Sequence, residues 1–495
     1  MFGRPKFVNI AEKISQIPKG LYRSEALIAG SWKNLPQKFA VCHPNSGEVI
    51  INVSDCQAEH VLEAVEASKC GFEMWKAKTA KERAAIVRKW GTLIDENQES
   101  LATLITLEGG KPISESRGEI SYASSFCEWS ASQGRLLSSE SVPSPFPDKR
   151  ILTMKQAIGV VGMITPWNFP AAMVTRKAAP ALAVGCPVIL KPSEDTPLTA
   201  LALGELALQA GIPPECFHVL PASRESTPSV GKTICEHPEI RAISFTGSTN
   251  VGETLLQQSA STVKKVSMEL GGLAPFIVFE SADLAAAAKA LIAAKFRNTG
   301  QTCIAANNVF VHHSVMNEFI EIFKVEITRL KFGDVFDSST TVGCLINSRG
   351  AQKVQEQVRE ALEKGARLHS GGSAIDETHF EPTLLSDVAA DASCFTSETF
   401  GPLCAVRAFD SEEEVLALAN ASQFGLAGYF FSTDHHQCFR VAEKLEVGMV
   451  GINSGAISCC EAPFGGVKKS GLGREGGLVG TDEFTELKYC CFGDL

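Results

Sequence analysis

Three residues carry chemistry most directly. Cys303 closes the polar turn Arg297-Asn-Thr-Gly-Gln-Thr-Cys303 after an Ala-rich helical stretch, whereas most other cysteines lie in apolar or scattered surroundings. A thiol attacks as its thiolate, and an unperturbed thiol with a pKa near ~8.5 needs donors or a base beside it. Glu269 ends the run KKVSMEL just before Gly271-Gly272, so strand geometry leaves a carboxylate at a crevice mouth with glycines that allow close approach. Asn168, in Thr165-Pro-Trp-Asn-Phe-Pro170, follows the run IGVVGMI in the same manner. An amide donates hydrogen bonds without titrating, which suits it to hold an oxyanion through a whole reaction. Alone, each residue reads as structural more often than not. Together they offer a nucleophile, a base and an oxyanion donor.

Two glycine motifs compete for a phosphate. Gly471, Gly473 and Gly476 spell G-x-G-x-x-G, but a basic loop precedes them and too little chain follows for a βαβ unit with its acidic ribose ligand, so this motif is assigned to a loop. Gly247-Ser-Thr-Asn-Val-Gly252 follows the strand-like RAISF and opens a helical segment, where backbone N–H groups meet a phosphate. It lacks the Lys-Ser/Thr ending of a nucleotide-hydrolysing loop. The run PVIL leads into Lys191-Pro-Ser-Glu194, placing a cation and a carboxylate at a strand's carboxyl end. A carboxylate there accepts from both ribose hydroxyls of NAD and repels the extra phosphate of NADP.

These residues need a frame, and the texture of the chain supplies one. From Ile158 short apolar runs (IGVVGMI, PVIL, FHVL, RAISF, KKVSMEL) alternate with helical segments such as Leu198 to Ala210, which Gly211 and Pro213-Pro214 terminate. A second series (FIVF, NNVFV, CAVRAF, LAGYFF, GMVGI) follows from about Leu270, with helical stretches such as Ser411 to Ala421 between. Strands alternating with helices predict parallel, doubly wound sheets in two α/β lobes. Residues 57–107 read as helical, with Asp55 as a cap and Thr79 with Glu82 as a capping box. Leu136 to Thr153 suits a projecting hairpin, and the C-terminal FTELKYCC also alternates. Two outlying strands with unpaired edges are a liability that pairing with a second subunit removes.

Composition excludes several classes. The chain has 495 residues, 44% hydrophobic and 21% charged, which argues against disorder and fibrous repeats. A net charge of -10 speaks against a nucleic-acid partner. Leu284 to Phe296 is too short, and too interrupted by Lys289 and Lys295, to span a membrane. The first twenty residues lack the apolar core of a secretory signal, so the expected location is cytoplasmic, with the mitochondrial matrix as the alternative. The sixteen cysteines contain no C-x-x-C, and the adjacent pairs His312-His313 and His435-His436 point apart in regular structure, so neither a disulfide framework nor a metal is expected.

TPWNFP, KPSEDTP, FTGST, MELGG, GQTC, SETFGP and PFGGVKKSGLGREGG occur in this order, and with them the chain resembles the aldehyde dehydrogenase superfamily over essentially its whole length. The resemblance implies an α/β fold of two doubly wound domains plus a small β oligomerisation flap. It divides the chain into an NAD-binding domain (1–136 and 154–269), a catalytic domain (270–460), oligomerisation strands (137–153 and 480–495) and a return segment (461–479). It implies that Cys303 is the nucleophile, Glu269 the base and Asn168 the oxyanion donor. Cofactor contacts are implied at Thr165, Pro166, Trp167, Lys191, Ser193, Glu194, Phe245, Gly247, Ser248, Leu270, Glu398 and Phe400. With Glu194 in place, NAD is expected to be preferred over NADP, and the resemblance implies a homodimer or homotetramer.

Long near-matches, such as NFPAAMVTRKAAPALAVGCPVILKPSEDTP and KFRNTGQTC, resemble the succinate-semialdehyde branch, in which arginines matching Arg176 and Arg297 hold the substrate carboxylate and Ser458 fits the substrate loop. A guanidinium fork suits a carboxylate better than a mobile ammonium does. The sequence also departs from its relatives. Ala305 replaces a second cysteine, which removes a redox switch; Leu273 and Asn308 are unusual; and Cys459 leaves glutarate semialdehyde or a related ω-oxo acid open. Two further readings stay beside oxidation to a free acid: a coenzyme A-acylating dehydrogenase, which would not need Glu269, and a catalytically idle binding member.

Overall fold

The computed structural model describes residues 9–494. Residues 1–8, on which the presequence alternative partly rests, and residue 495, the end of the range given to the outlying strands, lie outside the described residues. The molecule is of the α/β class, built on two large sheets.

The first sheet has eight strands. Its centre is five parallel strands in the order Phe217–Val219, Val188–Lys191, Val160–Ile164, Ile240–Thr246 and Lys265–Glu269, with short antiparallel strands at both edges. The chain order reverses between Val160–Ile164 and Ile240–Thr246, and such a switch point opens a crevice outside the strands' carboxyl ends. Register sets the crevice: Ile164 lies opposite both Lys191 and Phe245, and Thr246 lies opposite Glu269. The motifs beginning at Thr165, Lys191 and Gly247 therefore emerge at one level. These strands are buried on both faces and need no polar alternation.

The second sheet has seven strands. Six are parallel, in the order Thr383–Ser386, Leu403–Phe409, Ala306–His312, Ala274–Val278, Ala427–Phe431 and Met449–Ile452, and Arg367–Ser370 is antiparallel at the edge. Leu270 to Leu273 connects the last parallel strand of the first sheet to Ala274–Val278 of the second. Ser139–Val142, Arg150–Ala157 and Thr485–Phe492 form a separate three-stranded antiparallel sheet. The two outlying segments thus pair with each other, and the outer edges of Ser139–Val142 and Thr485–Phe492 stay open. Leu487 and Tyr489 on this sheet are exposed.

Local signals hold in most places. Thr79 and Glu82 form the reciprocal capping box of helix Ala80–Glu96, and Gly211 ends helix Pro197–Ala210 in the left-handed region at φ 102°. Three expectations need correction. Asp55 does not cap the first long helix: Gln57 stands at the N-cap of Ala58–Ala77, while the Asp55 carboxylate accepts from Ser223 N at 2.7 Å and Ser226 Oγ at 2.9 Å. His312 and His313 do not point apart; their rings lie 4.5 Å from each other because the strand ends between them and a 3₁₀ turn begins. The G-x-G-x-x-G stretch is not simply a loop: Gly471–Leu472 is a short strand pairing with Met268 and Glu269. Gly471, at φ 145°, packs so closely on the Met268 carbonyl that any Cβ would collide with it.

Candidate active site

One cavity of about 580 Å³ lies between the sheets. It is walled by Pro166, Trp167, Asn168, Arg176, Gly247, Ser248, Leu270, Arg297, Cys303, Glu398, Phe400 and Ser458, all singled out in the sequence. Thr165, Lys191, Ser193, Glu194, Phe245 and Glu269 are not on its wall. The first five sit where the strands of the first sheet end. Thr165 N donates to Lys191 O at 3.1 Å, Lys191 Nζ pairs with Glu194 at 3.4 Å, and Ser193 Oγ accepts from Asp195 N at 3.3 Å.

Cys303 is held by an unusual turn. Asn298 (φ 51°), Thr299 (φ 57°) and Gly300 (φ 78°) form three consecutive left-handed residues, a conformation that a β-branched threonine adopts only under constraint. The constraint is a web of hydrogen bonds. Asn298 N donates to Glu115 Oε2 at 2.8 Å, Gly343 N to Thr299 Oγ1 at 3.1 Å and Ile346 N to Gln301 Oε1 at 2.9 Å. Burial pushes the Cys303 thiol up to about 12; Glu398 and Glu269 push the same way, while Arg176 and Arg297 pull it down. The resting group is therefore the thiol, and attack requires a proton acceptor.

The Asn168 amide is buried against this turn. Its Nδ2 donates to Gln301 O at 2.9 Å, which spends one of two N–H donors and leaves the other for an oxyanion. Its backbone carbonyl is fixed by Lys111 Nζ at 2.8 Å and Asn298 Nδ2 at 3.1 Å. Lys111 is itself ion-paired to buried Glu119, and Glu119 Oε1 accepts from Ala171 N at 2.8 Å.

Glu269 lies behind the wall, 2% exposed, and neither of its carboxylate oxygens has a hydrogen-bond partner. Burial raises its pKa well above the usual carboxylate range, and Glu475 adds to this, while Lys177, Arg176 and Arg474 oppose it. A carboxylate that nothing anchors is free to turn, and the desolvation that raises its pKa makes its charged form a stronger proton acceptor than a solvated carboxylate.

Arg176 is 3% exposed. Its guanidinium lies 4.1 Å above the Phe464 ring, and Nη2 donates to Tyr122 at 2.5 Å. Arg297 is exposed over Phe169 at 5.4 Å, and Ser458 is half-buried on the same wall. Two cations and a hydroxyl thus face the space beside Cys303.

The opposite end suits a dinucleotide. Ser248 is the N-cap of helix Thr249–Ser259 without a side-chain cap bond, which leaves first-turn N–H groups for a phosphate. Thr246 Oγ1 is buried and without a partner, and a side chain at Gly247 would strike the Phe245 ring. Glu398 accepts from Gly272 N at 3.4 Å; burial raises its pKa to about 7, against the pull of Lys353. Phe400, strained at φ 54°, meets Trp167 edge-on at 5.5 Å.

Sequence reasoning missed Lys111, Glu115, Glu119, Tyr122, Lys353, Phe464 and Glu475. Glu115, Glu119 and Tyr122 have the spacing of one helical stripe on Ile113–Gln133, a signal that was legible but reads as a solvated face. Among the described residues no group of three or more His, Cys, Asp or Glu side chains is arranged to hold a metal ion, and no helix is long and apolar enough to cross a membrane.

Comparison with known proteins agrees with this geometry. Residues 32–490 match the description of the aldehyde dehydrogenase family. The chain is 48% identical over 488 residues to a human protein, succinate-semialdehyde dehydrogenase, mitochondrial, covering 98% of this chain and 91% of that one. It is 47% identical to succinate-semialdehyde dehydrogenase [NADP(+)] GabD of Escherichia coli (strain K12), covering 96% and 98%. The crystal structure of succinate-semialdehyde dehydrogenase from Burkholderia pseudomallei superposes with a TM-score of 0.94 at 46% identity, covering 96% of this chain and 99% of that one. With its motifs, its two sheets and its cavity in agreement, this chain belongs to the aldehyde dehydrogenase family.

Proposed function

We propose that the protein oxidises succinate semialdehyde to succinate, with Cys303 as nucleophile, Asn168 as oxyanion donor and Glu269 as general base. The observation that carries the substrate is Arg176, a buried guanidinium on the wall of the cavity that holds Cys303, with Arg297 also on that wall. A neutral aldehyde has no use for that charge, whereas a carboxylate at the far end of a short aldehyde is paired by it. Relatives at 47–48% identity bear the same substrate in their names.

The Cys303 thiol gives its proton to Glu269, which passes it to solvent, as its sulfur bonds to the aldehyde carbon, and the resulting oxyanion accepts from the free Asn168 N–H. A bound NAD or NADP supplies the acceptor for the hydride that leaves this carbon, so that the substrate is oxidised to a thioester on Cys303. Glu269 turns toward the cavity, takes a proton from water, and the hydroxide adds to the thioester carbon. Collapse expels the Cys303 sulfur, which takes the proton back from Glu269, and releases the carboxylic acid. General base catalysis of this kind contributes ~10²–10⁴-fold, and the presence of Glu269 favours water over a coenzyme A thiol as acyl acceptor.

Glu194 beside Lys191 favours NAD over NADP at the adenosine ribose, and Lys353 with Glu398 flanks the nicotinamide half. The eight-stranded sheet serves as the dinucleotide-binding unit and the seven-stranded sheet as the catalytic one. The open edges of the three-stranded sheet serve pairing with a second copy, in a dimer or tetramer. Sixteen free thiols suit the cytoplasm or the mitochondrial matrix. Steady-state assays of the purified protein with succinate semialdehyde and butanal test the reading. A carboxylate paired by arginine is expected to raise kcat/KM by about 10- to 100-fold over butanal. Equal or higher kcat/KM for butanal overturns the substrate assignment.

A further inference from the structure

A hydroxyl beside the guanidinium has no part in this scheme. Tyr122 lines the cavity, and its hydroxyl oxygen accepts from Arg176 Nη2 at 2.5 Å. The same hydroxyl still has a proton to donate, and among the described residues no acceptor takes it. We propose that Tyr122 is a specificity-determining residue: it orients Arg176 and donates its hydroxyl proton to the free carboxylate of the ω-oxo acid. This rests on the reading of Arg176 as the carboxylate clamp.

The geometry shows why Arg176 needs an orienting partner. Phe464 at 4.1 Å and Phe126 at 5.2 Å fix the plane of the guanidinium but not its rotation within that plane. Glu475 Oε2 is 3.7 Å from Nη1, beyond a hydrogen bond, and Nε is buried without a partner. Nη1 makes a long 3.8 Å contact with Met173 Sδ, a weak acceptor, so the Tyr122 hydroxyl is the strong hydrogen-bond stop within the plane. It is itself held: its ring packs edge-on to Phe126 at 4.9 Å. Tyr122 follows Glu115 by two turns and Glu119 by one on helix Ile113–Gln133, and those residues tie the helix to the Cys303 turn and to the Ala171 backbone. One rigid element thus spaces the carboxylate-binding end from the reacting carbon. A carboxylate reaching Arg176 meets a second donor already in place, and a neutral aldehyde gains nothing from it.

The test compares Tyr122→Phe and Arg176→Gln on succinate semialdehyde and butanal. Tyr122→Phe is expected to lower the ratio of kcat/KM for succinate semialdehyde to that for butanal by about ten-fold, chiefly through KM. Butanal turnover reports that the variant is folded. The inference is overturned if Tyr122→Phe leaves the ratio unchanged, including the case in which both substrates suffer alike. If Arg176→Gln lowers the ratio and Tyr122→Phe does not, the tyrosine inference falls and the clamp stands. If Arg176→Gln also leaves the ratio unchanged, the clamp falls with it.

Discussion

The eight-stranded sheet brings the carboxyl ends of its strands to the cavity, and the seven-stranded sheet brings the amino ends of its own. Thr165 to Asn168, Lys191 to Glu194 and Gly247-Ser248 all follow strands of the first sheet; Gly272, Cys303, Glu398 and Phe400 all precede strands of the second. The backbone differs accordingly. No residue in the three loops of the first sheet has positive φ, whereas Asn298, Thr299, Gly300 and Phe400 do. Strand carboxyl ends lead into helices whose N–H groups recognise an anion without strain. Amino ends offer no such device, so Cys303, the proposed nucleophile, is placed there by a constrained turn locked through side chains. In the proposed scheme the first edge carries the phosphate and ribose contacts and the second places the reacting sulfur, and substitutions at the two are expected to fail differently.

The sharpest test of that division is Cys303→Ala. Loss of the only proposed nucleophile is expected to reduce turnover by more than ~10³-fold, while NADH binding, followed by fluorescence, stays within two-fold of the native protein (about 0.4 kcal/mol). Loss of NADH affinity together with activity would break the separation of the two edges.

Gly300→Ala probes the constrained turn itself. At φ 78° a Cβ is strained, and it would also run into the Gly401 carbonyl. Forcing it in costs about 1–3 kcal/mol, so kcat is expected to fall ~10-fold or more as the turn shifts Cys303 away from Asn168. The KM for the dinucleotide should barely change. A KM that moves as far as kcat would mean that the turn supports both ends of the cavity.

The contrast also explains what the sequence made legible. Motifs on the first sheet are contiguous, and the rule that open sheets bind ligands at their carboxyl ends points to Lys191, Glu194 and Ser248 directly, of which Ser248 lines the cavity. Cys303 was recognisable by the polarity of its turn, although no positional rule points to an amino end. What stayed hidden is the set of buried charges that meet partners far along the chain: Lys177 with Glu475, 298 residues apart, and Lys111 with the Asn168 carbonyl, 57 apart. Glu115 and Glu119 are spaced like solvent-facing charges, and only the packing of helix Ile113–Gln133 against helix Ala172–Val184 turns them inward. Glu475 lay inside a glycine motif read as a loop, and its role depends on Gly471 bringing that segment against Met268 and Glu269.

The mildest effect is expected at the binding edge. Glu194 is 31% exposed while its partner Lys191 is 3% exposed, so its repulsion of a 2′-phosphate is partly screened by solvent. Burial and Glu194 together raise the neighbouring Asp195 carboxyl to about 6. Replacing Glu194 by Gln removes one of those causes, so Asp195 ionises at lower pH than in the native protein, and at pH 8 its own negative charge stays in place in both. The NADP-to-NAD ratio of kcat/KM in Glu194→Gln should therefore rise only about three- to ten-fold at pH 8. In the native protein the ratio should rise toward pH 6, where Asp195 takes up a proton and its repulsion fades, whereas in Glu194→Gln, whose Asp195 ionises at lower pH, it should change less over that range. A native ratio that stays constant from pH 8 to pH 6 would remove Asp195 from coenzyme choice. A ratio unchanged from the native protein at every pH would remove Glu194 as well, leaving the binding edge to discriminate by shape alone.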